Sequence, residues 1–160
     1  MSEQTSSGVM AGKRGLIMGV ANDRSIGWGI ASKLAEHGAE LAFTFQGEAL
    51  QKRVIPLAES VGSNLVLPCD VTDEASVDAV FDRLKSEWGE LDFVLHAIAY
   101  SDKEELKGGY LETSRDNFAR TMDISVYSFT AVARRAAAMM NDNGSLLTLT
   151  YYGAERVMPH

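Results

Sequence analysis

A glycine-rich segment at residues 19–30 carries the strongest chemical signal in this sequence. Glycines at positions 19, 27 and 29 allow a tight turn and let the backbone approach a pyrophosphate closely. Ser25 could donate a hydrogen bond to that group at the start of the next helix, where free N–H groups and the helix dipole favour an anion. The spacing departs from G-x-G-x-x-G, so a serine-capped strand–helix turn without a ligand is the alternative.

Polar residues after two further strand-like runs suit a bound nucleotide. Gln46 stands where such folds meet the adenosine ribose, and Glu48 nearby would repel an added phosphate, so the pair favours NAD(H) over NADP(H). Asp70 could accept a hydrogen bond from an adenine amino group while Val71 packs on the ring. The alternatives are an ordinary polar strand end at Gln46 and a helix-capping role for Asp70.

Two later strand ends offer further candidates. Ala97 and Ala99 are small enough to allow a ribose to approach, whereas His96 is most simply a satisfied core histidine. Tyr151 and Tyr152 follow the last strand-like run, where a hydroxyl could donate to a carbonyl oxygen that gains charge. Packing of the rings is the alternative for at least one of them. No Cys, His and carboxylate cluster has metal-ligand spacing, so we predict no metal.

The elements that must position these residues alternate along the chain. Strands are predicted at residues 14–19, 40–45, 64–69, 91–96 and 145–150. Helices are predicted at 26–37, 48–61, 73–88 and 114–140, with Thr72 as the N-cap of the third. This pattern predicts an α/β fold with a doubly wound parallel sheet of Rossmann type, strand order 3-2-1-4-5, and a ligand crevice between strands 1 and 4.

The domain organisation follows from the same pattern. Residues 1–12 are predicted to be a flexible leader, and residues 13–160 a dinucleotide-binding domain. A dinucleotide fold needs two βαβαβ halves, and the second half is incomplete here. We therefore expect the chain to be truncated, with the C-terminal part of the domain absent.

Composition excludes several classes of partner. The net charge is -7, from 15 basic and 22 acidic residues, so nucleic acid is not an expected partner. The N-terminus lacks the blocks of a signal peptide, and no apolar run approaches the roughly 20 residues of a membrane span. Cys69 is the only cysteine, which fits a reducing compartment and a cytoplasmic location.

Five segments together resemble the enoyl-acyl-carrier-protein reductases, a divergent branch of the short-chain dehydrogenase/reductases. They are GVANDRSIGWGIA, GAELAFTFQ, LPCDVTDEASV, LHAIAYS and LLTLTYYGAERVMP. The resemblance covers essentially everything after the leader. The long glycine loop, the neutral Gln46 and the Tyr-Tyr-Gly-Ala-Glu-Arg run separate this branch from ordinary ketoreductases.

The resemblance implies an NADH-dependent enzyme of fatty-acid biosynthesis that reduces the trans-2 double bond of enoyl-acyl-carrier-protein as a homotetramer. It also implies contacts for individual residues: Gly19, Ser25 and Ile26 with the cofactor phosphates, Gln46 with the adenosine ribose, Asp70 and Val71 with adenine, Ile98 with the nicotinamide side, and Ser101 with substrate or inhibitor. Tyr151 matches the first of two active-site tyrosines. The second tyrosine and a lysine are expected after His160, so we attribute the activity to a longer parent protein.

Two other functions fit the same scaffold. A carbonyl reductase would want a serine near the end of strand five, where this chain has Thr148 and Thr150 before the two tyrosines. A dinucleotide-binding sensor or interaction module without catalysis is the second alternative. Turnover of an enoyl thioester would separate all three.

Overall fold

The computed structural model describes residues 8–157, which form a five-stranded parallel sheet with helices on both faces. The strands are β1 Arg14–Met18, β2 Glu40–Phe45, β3 Leu65–Pro68, β4 Leu91–His96 and β5 Met140–Thr148. The helices are α1 Ile26–Glu36, α2 Gly47–Ser60, α3 Glu74–Trp88, α4 Arg115–Met122 and α5 Ser128–Ala137. The sheet order is β3-β2-β1-β4-β5, which confirms the predicted fold class and topology.

The central strand β1 explains why both faces of the sheet must be covered. Leu16 and Met18 are fully buried in one cluster with side chains of α3 and α5. Ile17 points the other way and is fully buried in a second cluster with side chains of α1 and α2. Because successive residues of a strand face opposite sides, a strand covered on both faces is a continuous apolar run, as the sequence has it.

The predicted cap of α3 was wrong by one residue. Asp73 is the N-cap, and its carboxylate accepts a hydrogen bond from the Ala75 N–H. Thr72 is not free for that role, because both its N–H and its hydroxyl donate to the Asp70 carboxylate. The prediction failed because threonine and aspartate are both good caps, and a tertiary contact decided between them.

The long helix predicted at 114–140 is interrupted. A π-helical segment, Asp123–Tyr127, lies between α4 and α5, and α5 ends at Ala137. The Ser128 hydroxyl donates to the Ile124 carbonyl at 2.6 Å, four residues back, within this irregular turn. A π turn adds a residue to the helical repeat, so the faces of α4 and α5 are not aligned as one regular helix would align them.

Strand β5 begins earlier than predicted. It starts at Met140, which pairs with Leu91, and the register shifts before Phe93 pairs with Ser145. Asn143 has a φ of 67°, a left-handed conformation that asparagine tolerates better than most residues. The Asn143–Gly144 pair, a common turn sequence, therefore lies in an irregularity within the strand.

The beginning of the described chain is turned back onto the domain. Residues 8–12 form turns, and the Met10 N–H donates to the His37 carbonyl at 3.0 Å. Residues 1–7 of the predicted leader, which spans residues 1–12, lie outside the described residues, so the boundary between leader and domain stays a prediction. Among residues 8–157, no helix is both long enough and apolar enough to cross a membrane.

Candidate functional site

A cavity of about 310 Å³ opens at the carboxyl ends of the first four strands. This is the crevice between β1 and β4 at which open α/β sheets bind ligands. Its lining residues are Gly19, Val20, Ala21, Thr44, Phe45, Gln46, Leu50, Cys69, Asp70, Val71, Thr72, Ala97, Ile98, Ala99, Tyr100, Arg120 and Ile124. Five of the seven residues predicted to bind a cofactor, Gly19, Gln46, Asp70, Val71 and Ile98, are thus brought together.

Gly19 forms the floor of the cavity where β1 ends. Its φ is 93°, and a Cβ placed there would lie 2.1 Å from the Ala97 carbonyl oxygen. Only glycine fits such a position, so the two strand ends come closer than side chains would allow. The close approach leaves exposed backbone, rather than side chains, at the centre of the crevice.

Ser25 shapes the glycine-rich loop from within. Its Oγ accepts hydrogen bonds from the backbone N–H groups of Ala21 and Asn22, at 3.0 and 3.1 Å. The side chain makes no capping hydrogen bond to α1, although Ser25 occupies the N-cap position. Among residues 8–157 the Ser25 hydroxyl donates no hydrogen bond, so it can donate one to a bound acceptor. Ser25 and Ile26 do not line the cavity, and Ile26 is 68% exposed, so their predicted contacts with phosphate stay predictions.

Gln46 and Asp70, predicted separately for ribose and adenine, belong to one network. The Gln46 Nε2 donates to one Asp70 carboxylate oxygen at 2.9 Å. The other carboxylate oxygen accepts from the Thr72 hydroxyl at 2.7 Å and from the Thr72 N–H at 2.9 Å. These hydrogen bonds from Thr72, with a smaller contribution from Gln46, hold the pKa of Asp70 below its ordinary value. Asp70 is therefore a charged acceptor, and the Gln46 Oε1 stays open to a hydroxyl donor.

His96 at the end of β4 is the satisfied core histidine that the sequence suggested. It is 1% exposed, and its Nε2 lies 2.7 Å from the Ser128 hydroxyl. Because that hydroxyl donates to the Ile124 carbonyl, Nε2 must carry the proton. The Thr148 hydroxyl lies 3.4 Å from Nδ1. Burial lowers the pKa of His96, so the ring is neutral and joins β4, α5 and β5.

Ser101 lies outside the cavity, in a neighbouring hollow. Its Oγ accepts hydrogen bonds from Asn117 at 3.2 Å and from the Thr121 hydroxyl at 3.0 Å. Leu106 and Phe118 give this hollow an apolar part. The predicted contact of Ser101 with substrate therefore concerns a different surface from the one that would hold a nucleotide.

Tyr151 and Tyr152 follow β5 on the same edge of the sheet, but neither lines the cavity. Tyr151 is 67% exposed and Tyr152 is 59% exposed, so neither ring is packed in the core of the described chain. The Arg156 guanidinium lies over the Tyr152 ring, 5.5 Å from its centroid. The predicted role of Tyr151 toward substrate stays a prediction.

Arg120 and Ile124 are among the lining residues that the sequence analysis missed. Arg120 and Ile124 reach the cavity from the end of α4 and the π-helical segment. Their spacing of four residues is the signal of a shared helix face, but a single sequence does not tell which face borders the crevice. Cys69 also lines the cavity, and burial raises the pKa of its thiol to about 11, so it is an unreactive packing residue at neutral pH.

The cavity carries no signature of a metal site. Within residues 8–157, no group of three or more His, Cys, Asp or Glu side chains is placed to hold a metal ion.

Comparison with known proteins places this geometry in a family. A sequence model described as enoyl-(acyl carrier protein) reductase matches residues 19–160. The chain belongs to the enoyl-(acyl carrier protein) reductase family. A curated relative, enoyl-[acyl-carrier-protein] reductase [NADH] 1 of Rhizobium meliloti (strain 1021), is 70% identical over 155 residues, which are 97% of this chain and 57% of the relative.

Solved structures of this reductase family have the same fold. The crystal structure of FabI from Candidatus Liberibacter asiaticus has a TM-score of 0.93 and 55% identity, and the match covers 95% of this chain and 59% of that one. The reductase of Anaplasma phagocytophilum in complex with NAD has a TM-score of 0.92 and 55% identity, covering 96% of this chain and 59% of that one. The chain therefore spans less than two thirds of the length of these relatives.

Proposed function

We propose that the full-length protein is an NADH-dependent enoyl-acyl-carrier-protein reductase of fatty-acid biosynthesis. The observation that carries the proposal is the Gln46–Asp70 hydrogen bond at the edge of the crevice. The bond joins a neutral amide to a charged carboxylate, and this pair suits the hydroxyl and amino donors of an adenosine. The R. meliloti relative is itself named for NADH, and the A. phagocytophilum relative was solved with NAD.

The residues at the crevice suit a dinucleotide. Gly19 has no side chain, so the backbone can lie close to a pyrophosphate. Ala97 and Ala99 are small enough to admit a ribose, and Ile98 offers an apolar surface beside them. Asp70 can accept a hydrogen bond from the adenine amino group, and Val71 can pack on the ring.

The same network favours NADH over NADPH. A ribose hydroxyl can donate to the Gln46 Oε1, since the amide nitrogen is already bonded to Asp70. A 2′-phosphate at that place would lie near the Asp70 carboxylate, whose depressed pKa keeps it charged. Glu48 is exposed at the start of α2 and does not line the cavity, so Asp70 carries the repulsion that was first assigned to Glu48.

The chemistry divides between the cofactor and the chain. When bound, NADH would supply a hydride to C3 of the conjugated alkene. Negative charge would then build on the thioester oxygen, where a tyrosine hydroxyl can donate a hydrogen bond, before a proton reaches C2. We assign Tyr151 to binding and orienting the thioester, and the family's second tyrosine, expected after His160, to the enolate oxygen. Ser101 is assigned to the substrate side.

The proposal includes a homotetramer in the cytoplasm. Phe118, Met122 and Val126 project from α4 and the π-helical segment, with exposures of 52%, 42% and 52%. These side chains are large and apolar, which suits contact with another subunit. Ala131 and Ala136 of α5, whose small side chains would allow close packing of helices, are instead buried within their own chain. The lone buried thiol of Cys69 suits a reducing compartment.

A carbonyl reductase on this scaffold is not favoured. It would need a serine-like hydroxyl facing the crevice from the end of β5. The Thr148 hydroxyl instead lies 3.4 Å from the buried His96 ring, and Thr148 does not line the cavity. A dinucleotide-binding module without catalysis has no specific observation in its favour.

Turnover of two thioesters by the full-length protein tests the proposal. Crotonyl thioester and acetoacetyl thioester are each supplied with NADH, and loss of NADH is followed. We expect rapid reduction of the enoyl substrate and little reduction of the keto substrate. The reverse order would support the carbonyl reductase, and NADH binding without turnover of either substrate would support the binding module.

A further inference from the structure

Arg120 is a charged residue that lines the cavity. It lies in the last turn of α4, and among the described residues that line the cavity only Asp70 and Arg120 carry a charge. Ile124, four residues further on, lines the same cavity. The spacing places both side chains on one helix face, toward the crevice.

The contacts of Arg120 are weak. Its guanidinium lies over the Tyr100 ring, 5.0 Å from the centroid, and Tyr100 is 40% exposed. Within residues 8–157, the guanidinium makes no hydrogen bond and no ion pair. A planar cation next to one aromatic face, with its donors free, can accept a second flat partner on the side away from that ring.

Arg120 lines the same cavity as Asp70 and Val71, the two residues assigned to the base. Its positive charge is one of the influences that lower the pKa of Asp70, although the hydrogen bonds from Thr72 are the largest. The guanidinium is therefore associated with the residues assigned to the base.

We propose that Arg120 forms a wall of the adenine subsite and stacks its guanidinium on the base. Asp70 reads the amino edge of the ring, Val71 packs against it, and Arg120 contributes a cation–π contact with its face. Bases have a π face whatever their hydrogen-bonding pattern, and arginine stacks on such faces favourably. This inference rests on the proposed function, because it takes the cavity as the NADH site.

The test is Arg120→Ala in the full-length protein, with three probes of different composition. NADH binding is titrated directly. Adenosine, which has the base and no phosphate, is measured as a competitor of NADH. Reduced nicotinamide mononucleotide, which lacks the base, is titrated as the third probe. Arg115→Ala on the same helix makes the same change of charge at an exposed residue that does not line the cavity.

We expect Arg120→Ala to weaken NADH and adenosine by about three- to tenfold and to leave the mononucleotide unchanged. Arg115→Ala should leave all three affinities unchanged. Arg120→Lys keeps the charge without the flat guanidinium, so it should bind NADH more weakly than the parent protein does.

Three results would overturn the inference. Unchanged adenosine affinity in Arg120→Ala, together with weaker NADH binding, would move the contact to the phosphates. Full recovery of NADH affinity in Arg120→Lys would show that charge alone matters. NADH affinity within twofold of the parent in Arg120→Ala would leave Arg120 without a role in binding. Failure of the parent protein itself to bind NADH would instead overturn the proposed function, and this inference with it.

Discussion

Gln46 is the residue whose substitution tests the proposed preference for NADH over NADPH most directly. Its Oε1 is free for a ribose hydroxyl, and its Nε2 bonds to the charged Asp70. We expect kcat/KM for NADH to exceed that for NADPH by at least about tenfold in the full-length enzyme, or roughly 1.4 kcal/mol. Gln46→Arg should narrow this ratio, because an arginine there can pair with the 2′-phosphate.

The control for that substitution is Gln51→Arg. Gln51 lies on α2 and does not line the cavity, so the same added charge should leave the ratio unchanged. Equal efficiency of the unsubstituted enzyme with both cofactors would contradict the assignment of Gln46 and Asp70.

Tyr151 provides a second test at the scale of a residue. In the full-length protein, Tyr151→Phe should slow enoyl reduction by about two- to tenfold, because one neutral hydrogen bond is lost. NADH affinity should be nearly unchanged, since Tyr151 does not line the cavity. Steady-state kinetics and NADH titration measure the two effects separately.

Tyr152→Phe is the matched control for Tyr151→Phe. It removes the same hydroxyl from the next ring, which keeps its contact with Arg156. We expect it to have the smaller effect on turnover. A large loss of NADH affinity in Tyr151→Phe would move that residue to the cofactor side of the site.

Site residues could be predicted from the sequence where they directly follow a predicted strand. Gly19 and Asp70 each follow a strand, and strand ends meet at a known edge of a parallel sheet. Arg120 could not be found in this way, because it comes from a helix whose rotation about its axis depends on tertiary packing. The direct bond between Gln46 and Asp70 was likewise invisible, since it joins two loops 24 residues apart in the sequence.

At the scale of elements, His96 connects β4 to α5 and β5, and this connection predicts a dependence on pH. Burial holds the pKa of His96 below 6.5, so the folded protein keeps the ring neutral while the unfolded chain takes up a proton. The unfolded state then binds more protons, and stability is lost as pH falls through 6.5 toward the folded pKa. The loss is up to about 1.4 kcal/mol per pH unit.

His96→Gln removes this titration while an amide can still donate to Ser128. We expect the variant to be less stable than the parent near pH 7.5, and the gap to shrink by about 1 kcal/mol near pH 5.5. Urea unfolding at a fixed protein concentration measures both. A gap that stays constant with pH would mean that His96 does not titrate differently in the two states.

The elements themselves were predictable where pattern and length agreed. Strands β2 and β4 have the bounds that their apolar runs predicted. The region 114–140 failed because a π turn leaves no composition signal, and because Met140 continues an alanine-rich helical pattern while pairing with Leu91 in the sheet. Tertiary pairing overrode local propensity there.

For the whole molecule, alternation of strands and helices predicted the parallel sheet, and the dinucleotide-binding interpretation of the glycine-rich loop favoured the order that the structure has. Crossovers between parallel strands are right-handed, which leaves few arrangements for five strands. Subunit contacts were harder to predict, since small residues of α5 such as Ala131 and Ala136 are buried within their own chain. The exposed row of Phe118, Met122 and Val126 became visible only in three dimensions.

The exposed row predicts how the assembly can be broken. Light scattering of the full-length protein at micromolar concentration should give four times the mass of one chain. Val126→Arg should lower that mass, because it places a charge among apolar side chains that a partner would cover. Leu111→Arg, at a residue that is 95% exposed outside this row, should not. A monomer mass for the unsubstituted protein would contradict the proposed tetramer.

The most direct test of the central claim follows the hydride. The full-length protein is given crotonyl thioester and NADH deuterated at C4 of the nicotinamide, on the face from which transfer occurs, and the product is examined by mass spectrometry and NMR. The account predicts a saturated butyryl thioester with one deuterium at C3. A hydroxyacyl product, a saturated product without deuterium at C3, or no consumption of NADH would contradict it.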